Sequence, residues 1–236
     1  MCQYVAGIGD RHLDNFLLSK ADGDLIGIDF GHAFGTATFM LPIPELMPFR
    51  LTGQISQFMR PLDSEGYLKA SMVSSLGGLQ KGKDVILSTL DLYVKEPLLD
   101  WQDWAAKAMN KPDGAAAAGP ADAGGGGAHM IESFALEAIQ GTRRKLTGMH
   151  PAAVFEKHLD IWTQRKNKEY AKAIPNIKLV LQGKDIGSAP SGTVLSLRAQ
   201  VPVQTRSVQE QVDCLVELAT DYRVLGRTWI GWASWL

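Results

Sequence analysis

The chain has 236 residues, 45% of them hydrophobic and 21% charged, which provides enough apolar material for one large or two small globular domains and excludes disorder throughout. Its 24 Lys and Arg against 25 Asp and Glu leave a formal charge of −1, so no overall basic field exists to hold a nucleic-acid backbone. Cys2 and Cys214 are the only cysteines, too few for a cysteine-based zinc site or a disulfide framework and consistent with a reducing compartment, and no apolar run approaches the roughly 20 residues that span a bilayer.

The first predicted elements form a hairpin. Asn15 to Ser19 and Leu25 to Asp29 are apolar runs joined through Ala21-Asp22-Gly23-Asp24, and an Asp-Gly pair between such runs favours a tight turn because glycine tolerates positive φ. Asp84 is placed to cap a helix over Val85 to Val94, with Val85, Ile86, Leu90 and Val94 on a core face and Pro97 closing it. Asp113 to Gly127 reads DGAAAAGPADAGGGG, a tract with little side chain to bury and high backbone entropy, hence a linker. Beyond it, Ile131, Phe134, Ala135, Ala138 and Ile139 make one helical stripe before Gly141, and Val154, Leu159 and Trp162 a second after Pro151. Arg143-Arg144-Lys145 reads as a solvated face, with a nuclear-localisation or phosphate-binding role as the alternative. Residues 174–204, punctuated by Pro175, Gly183, Gly187, Pro190, Gly192 and Pro202, read as loop. Ser207-Val208-Gln209-Glu210 is a capping box opening a helix whose Val208, Val212, Leu215 and Ala219 share a face.

The densest group of reactive side chains is Gly9-Asp10-Arg11-His12-Leu13-Asp14-Asn15, followed by Asp29-Phe30-Gly31 at the exit of the hairpin. A carboxylate before the first strand, an amide at its start and a second carboxylate after the return strand can converge on one point. Phosphoryl transfer needs such a set: one carboxylate orients the attacking hydroxyl or takes its proton, while Asn and the second carboxylate hold Mg²⁺ through hard oxygen ligands. Asp-Arg-His or Asp-Phe-Gly alone would be an ordinary loop. Their combination at this spacing is far more specific.

GIGDRHLDN and IGIDFGHAFG together resemble the catalytic and metal-binding loops of the phosphatidylinositol 3-kinase-related protein kinases, whose Asp-Arg-His order reverses that of ordinary protein kinases. IGIDFGHAFGTATFMLPIPELMPFRLT and the ending LGRTWIGWASWL resemble the DNA-dependent branch of that family. The likeness is close over residues 4 to about 109 and over the last 32, and loose between. It implies a mainly α chain with a small β hairpin, the C-terminal lobe of a PI3/PI4-kinase-like fold, divided into a partial kinase lobe (1–110), an Ala/Gly-rich linker (111–128), a helical regulatory region with a loop (129–204) and a FATC-type C-terminal module (205–236).

Carried onto this sequence, the resemblance makes Asp10 and His12 the catalytic pair, Asn15 and Asp29 the Mg²⁺ ligands, and Leu17 and Ile28 the apolar floor beneath the adenine of ATP; ordinary core packing is the alternative for the last two. Arg11 is expected to be structural, pairing with a carboxylate behind the loop. Phe30 to Phe49 contains no Lys or Arg, whereas lipid kinases need bases there for an anionic headgroup, so the acceptor is expected to be a protein hydroxyl. Ser or Thr followed by Gln is preferred in the family. A pocket for that glutamine would be built from Glu45, Leu46, Pro48 and Phe49, unless Pro44 to Arg50 only anchors the segment to the helical lobe. Trp229, Trp232 and Trp235 recur every third residue and either bury against the lobe or form an exposed patch.

Only nine residues precede Asp10, so the phosphate-covering loop and strand lysine of a working kinase are not among these residues. The chain therefore reads as the C-terminal part of a larger Ser/Thr protein kinase, inactive alone. The alternatives are a non-catalytic interaction module and, disfavoured by the base-free segment, a phosphoinositide kinase. The branch resembled implies a nuclear enzyme of double-strand break repair by non-homologous end joining, meeting the Ku heterodimer and DNA ends through its other regions.

Overall fold

The computed structural model describes residues 1–40, 44–47, 49, 51–61, 64–94, 126–165, 172–184 and 207–227. Residues 111–125 of the expected linker, Pro48, Pro97 and the three terminal tryptophans lie outside them, whereas residues 126–128, also expected as linker, are described and open a helix. Ten α-helices and one two-stranded sheet are present among the described residues. The architecture is thus mainly helical with a small antiparallel hairpin, as expected.

Helix α1 (Cys2–Ala6) ends at Gly7, which adopts φ 65°. A Cβ there would stand 2.7 Å from the Gly35 nitrogen, so only glycine permits the two backbones to approach. The chain then enters a loop, a 3₁₀ turn (Leu13–Asn15), strand β1 (Phe16–Leu18) and strand β2 (Leu25–Gly27). Pairing is antiparallel, with Phe16 opposite Gly27, Leu17 opposite Ile26 and Leu18 opposite Leu25. Short helices α2 (Thr36–Met40) and α3 (Gly53–Phe58) follow, then α4 (Lys69–Lys81) and α5 (Lys83–Val94).

Five helices build the main core: α4, α6 (Gly126–Leu146), α7 (Pro151–Arg165), α8 (Ile174–Leu181) and α9 (Val208–Thr220), with α10 (Tyr222–Leu225) closing one end. Helix α9 is the hub, packing on α4, α7 and α10. Ser207 caps it as the sequence predicts, its Oγ accepting from the Glu210 N–H at 3.1 Å. The expected face holds: Val212, Leu215 and Ala219 are buried, joined by Cys214, Val216 and Leu218. Val208 is partly buried against the same core. Fully burying each large aliphatic chain contributes roughly 1.5–3 kcal/mol.

Four local expectations are corrected. Residues 174–181 form a helix and not a loop, with Ile174, Ile177, Val180 and Leu181 buried. Pro175 lies in its first turn, where its missing N–H costs nothing, and Gly183 follows its end with φ 72°, so the residues read as loop signals are helix boundaries. Helix α6 does not stop at Gly141 but runs on to Leu146, a single glycine inside a helix costing only about 1 kcal/mol relative to alanine. In α5, Val85 is exposed and Leu87, not expected on the core face, is buried. The helix begins at Lys83, which places Asp84 inside the first turn rather than at the cap.

A fourth correction concerns the basic triplet Arg143-Arg144-Lys145, expected as a solvated face: Lys145 is turned inward. It is 4% exposed, donating from Nζ to the Tyr4 carbonyl at 2.7 Å and lying 5.1 Å from the centre of the Tyr4 ring. With Thr142 Oγ1, which donates to the Val5 carbonyl at 3.2 Å, it satisfies the end of α1. Of the basic triplet only Arg143 is exposed; Arg144 pairs with Glu137. Burial pushes Lys145 down to about 7 from its ordinary 10.5. Between those values the unfolded chain holds more protons than the fold, so stability rises with pH from about 7 towards 10.5. Urea unfolding of the chain and of Lys145→Met at pH 7 and 9.5 is expected to show the wild type gaining on the order of 2 kcal/mol over the variant at the higher pH.

Candidate active site

The catalytic-loop sequence is held against the hairpin exit by main-chain bonds. Phe34 N–H donates to Ala6 O, Gly35 N–H to Gly7 O and Gly9 N–H to His32 O, at 2.8–2.9 Å. Residues 6–9 and 32–35 therefore lie side by side. At the other end of the loop, Ile28 N–H donates to Asn15 O at 2.9 Å, extending the hairpin by one pair.

Arg11 joins the two loops. Its guanidinium is 2% exposed, and it donates from Nε to Gly9 O at 2.9 Å and from one terminal nitrogen to Ile28 O at 2.7 Å and Asn15 O at 3.4 Å, while the other reaches Asp29 O. The rings of Phe16 and Phe30 flank it at 5.8 and 5.6 Å. Arg11 is structural as expected, but its partners are carbonyls rather than a carboxylate. A planar fork with several donors is suited to collecting carbonyls that point inward from two loops. Burial lowers its pKa, opposed by the carboxylates of Glu45, Asp10 and Asp29.

Asp10 and Asp29 both adopt left-handed backbone, with φ 56° and 54°. Asp tolerates this region better than most residues, yet it carries a strain that surrounding bonds must hold. Around Asp10 they are the N–H to Glu45 Oε2 at 3.1 Å and the carbonyl accepting from Asn15 Nδ2 at 2.7 Å. Asp29 accepts the Gly31 N–H on Oδ1 at 3.1 Å. Asn15 is 6% exposed, and because its amide nitrogen is directed to Asp10 O, its Oδ1 is the atom that could meet a cation. Among the described residues no three His, Cys, Asp or Glu side chains group as a metal site. One amide oxygen and one carboxylate suit Mg²⁺, which keeps water and phosphate oxygens as its remaining ligands.

His12 is partly buried, with Nδ1 4.0 Å from the exposed Asp14 carboxylate. His32, which the sequence reading did not single out, lies beside the site with Nε2 3.9 Å from Asp10 Oδ2. Burial lowers its pKa, while the Asp10 and Asp29 carboxylates oppose that shift. The hairpin register places Leu17, Ile26 and Ile28 on one face, away from the Arg11 side of Phe16 and Gly27. Leu17 is 53% and Ile26 52% exposed, so Leu17 is not packed in the core.

The segment after the hairpin is anchored. Leu46 and Met47 are buried in the core, and Leu51 N–H donates to Ala219 O on α9 at 2.9 Å. Phe49 packs partly buried against the same core. Glu45 is buried under the catalytic loop, and its Oε2 already accepts from Asp10. No helix among the described residues is long and apolar enough to cross a membrane.

Residues 1–103 match the family described as phosphatidylinositol 3- and 4-kinase, and residues 205–236 match the FATC domain. The chain is 43% identical to the DNA-dependent protein kinase catalytic subunit of Dictyostelium discoideum over 98% of its length, and 38% identical to that of Canis lupus familiaris over all of it. It is 27% identical to the serine/threonine-protein kinase mTor of Drosophila melanogaster over 98% of its length. The chain spans about 5% of the length of the two DNA-dependent protein kinase relatives and 9% of mTor. A kinase domain at one end, a FATC domain at the other and this identity across nearly the whole chain place the protein in one group: it belongs to the phosphatidylinositol 3-kinase-related kinase family.

Proposed function

We propose that this chain supplies the catalytic loop, metal-binding loop and activation segment of an ATP- and Mg²⁺-dependent Ser/Thr protein kinase. The observation that carries the reading is the Arg11 fork, which binds carbonyls of Gly9, Ile28 and Asp29 and so holds the Asp10 loop in fixed relation to Asp29. In this reading Asp10 orients the acceptor hydroxyl and takes its proton, and His12 assists by stabilising charge on the transferred group. Asn15 Oδ1 and the Asp29 carboxylate would hold Mg²⁺, which when bound neutralises charge on the phosphates. Leu17 and Ile28, sharing a face of the hairpin, would lie under the adenine.

The acceptor is a protein Ser or Thr, with a following Gln preferred. The absence of Lys and Arg from Phe30 to Phe49 supports a protein over a lipid headgroup, and Leu46, Pro48 and Phe49 belong to the segment beside which the glutamine would sit, with Glu45 joining that segment to the Asp10 N–H. The same reading divides the chain into kinase lobe (1–110), linker (111–128), helical region (129–204) and terminal module (205–236). It assigns the whole enzyme to the nucleus, to double-strand break repair by end joining, and to the Ku heterodimer and DNA ends as partners, on likeness to relatives named as DNA-dependent protein kinases.

Two measurements test it. The 236-residue chain alone is expected to transfer no phosphate, since binding of the nucleotide phosphates requires a lysine and a covering loop that these residues do not provide. A full-length kinase carrying this segment is expected to phosphorylate a Ser-Gln peptide and to use Ser-Glu and Ser-Leu versions poorly. Equal use of all three removes the Gln preference, and phosphorylation of phosphatidylinositol in place of peptide removes the protein-kinase reading.

A further inference from the structure

The Pro44–Phe49 segment contains a carboxylate that is turned inward. Glu45 is 8% exposed, and its main chain is held by Thr38 Oγ1, which donates to Glu45 O at 3.1 Å. From there Oε2 accepts the N–H of Asp10 at 3.1 Å. The contact spans 35 residues of sequence and meets the backbone at φ 56°, where an N–H of a strained residue must be secured. A charged acceptor makes such a bond stronger than a neutral one. Gly9, immediately before Asp10, leaves room for it: a Cβ there would overlap Glu45 Oε2 and the Ala37 side chain.

We infer that Glu45 is a positioning residue for phosphoryl transfer: its carboxylate fixes the left-handed backbone of Asp10, and so ties the acceptor-side segment to the group that receives the hydroxyl proton. The inference rests on the kinase reading above. It differs from a role in binding the acceptor's glutamine, because the atom engaged is the Asp10 main-chain nitrogen, present whatever the substrate. Three points of support converge: the inward carboxylate, the glycine that admits it, and the strained φ that it holds. The bond also gives the anchoring of Leu46 and Met47 in the helical core a route to the reacting group.

The test compares Glu45→Ala with Glu45→Gln, whose amide oxygen can still accept from Asp10. In the full chain, amide hydrogen exchange at Asp10 is expected to speed up in Glu45→Ala and to stay near wild type in Glu45→Gln. In a full-length kinase carrying this segment, Glu45→Ala is expected to lower kcat about 100-fold with KM for ATP and peptide unchanged, and Glu45→Gln to restore most of it. The Ser-Gln over Ser-Leu preference is expected to be the same in wild type and Glu45→Gln. Unaltered exchange in Glu45→Ala overturns the inference, as does a rise in peptide KM at constant kcat, which would make Glu45 a substrate contact. An active wild type with an unimpaired Glu45→Ala defeats the positioning role alone, whereas an inactive wild type defeats the kinase reading and the positioning role with it.

Discussion

Replacing Asp10 by Asn in a full-length kinase carrying this segment is expected to lower kcat by about 10³-fold, the scale of losing a positioned general base in phosphoryl transfer. Asn is the informative substitution because it tolerates the left-handed region that Asp10 occupies at φ 56°, whereas Ala adds roughly 1–2 kcal/mol of backbone strain to the chemical loss. The contacts that shape the loop are made by the Asp10 main chain, to Glu45 and Asn15, and the Arg11 fork draws on carbonyls. The Asn variant should therefore bind Mg-ATP as the wild type does while failing to transfer phosphate. A variant retaining a tenth or more of wild-type kcat would exclude Asp10 as the base.

Gln211→Leu is expected to destabilise the fold by about 3 kcal/mol, within the range for leaving several buried polar groups without partners. Gln211 is 0% exposed. Its amide nitrogen donates to Lys145 O at 2.8 Å and to Met149 O at 3.4 Å, and its oxygen accepts from Gln80 Nε2 at 2.8 Å. One side chain on α9 thus bridges α4 and the end of α6. Leucine fits the volume but satisfies none of these three partners, so the cost should appear in urea unfolding, with the midpoint lowered and the slope unchanged. A loss under about 1 kcal/mol would mean that water replaces these bonds. Lys145 continues the connection through its bond to Tyr4 O, and α1 leads directly into the catalytic loop. Helix α9 is by this route part of the same packed body as the residues around Asp10.

The candidate site was legible because its parts are close in sequence. Asp10, Asn15 and Asp29 are joined by a hairpin whose turn carries Asp22-Gly23, and Gly23 takes φ 80° as such a turn requires. The cap at Ser207 was legible for the same reason, since its acceptor and donor are three residues apart. Helix α8 was not, because a segment of eight residues bounded by Pro175 and Gly183 gives too few turns for its period to stand out from its punctuation. The burial of Lys145, expected on a solvated face, and the bond from the Asp10 N–H to Glu45 were not legible, for one reason. The bonds that determine them reach 141 residues to Tyr4 and 35 to Asp10, and no local pattern marks a charged side chain that turns inward.

By itself the sequence determined the chemistry available: two aspartates and an asparagine at kinase spacing, a mainly helical chain with one hairpin, and a base-free segment after the second aspartate. Near-neutral charge left no broad basic field for a polyanion. Only the tertiary structure decided which charges are buried and what they hold. Arg11 gathers carbonyls of both loops, Glu45 holds the Asp10 backbone, and Lys145 closes the end of α1. The reason is the cost of desolvation: a charge survives in the interior only where converging backbone groups receive it, and those groups come together only when distant parts of the chain pack.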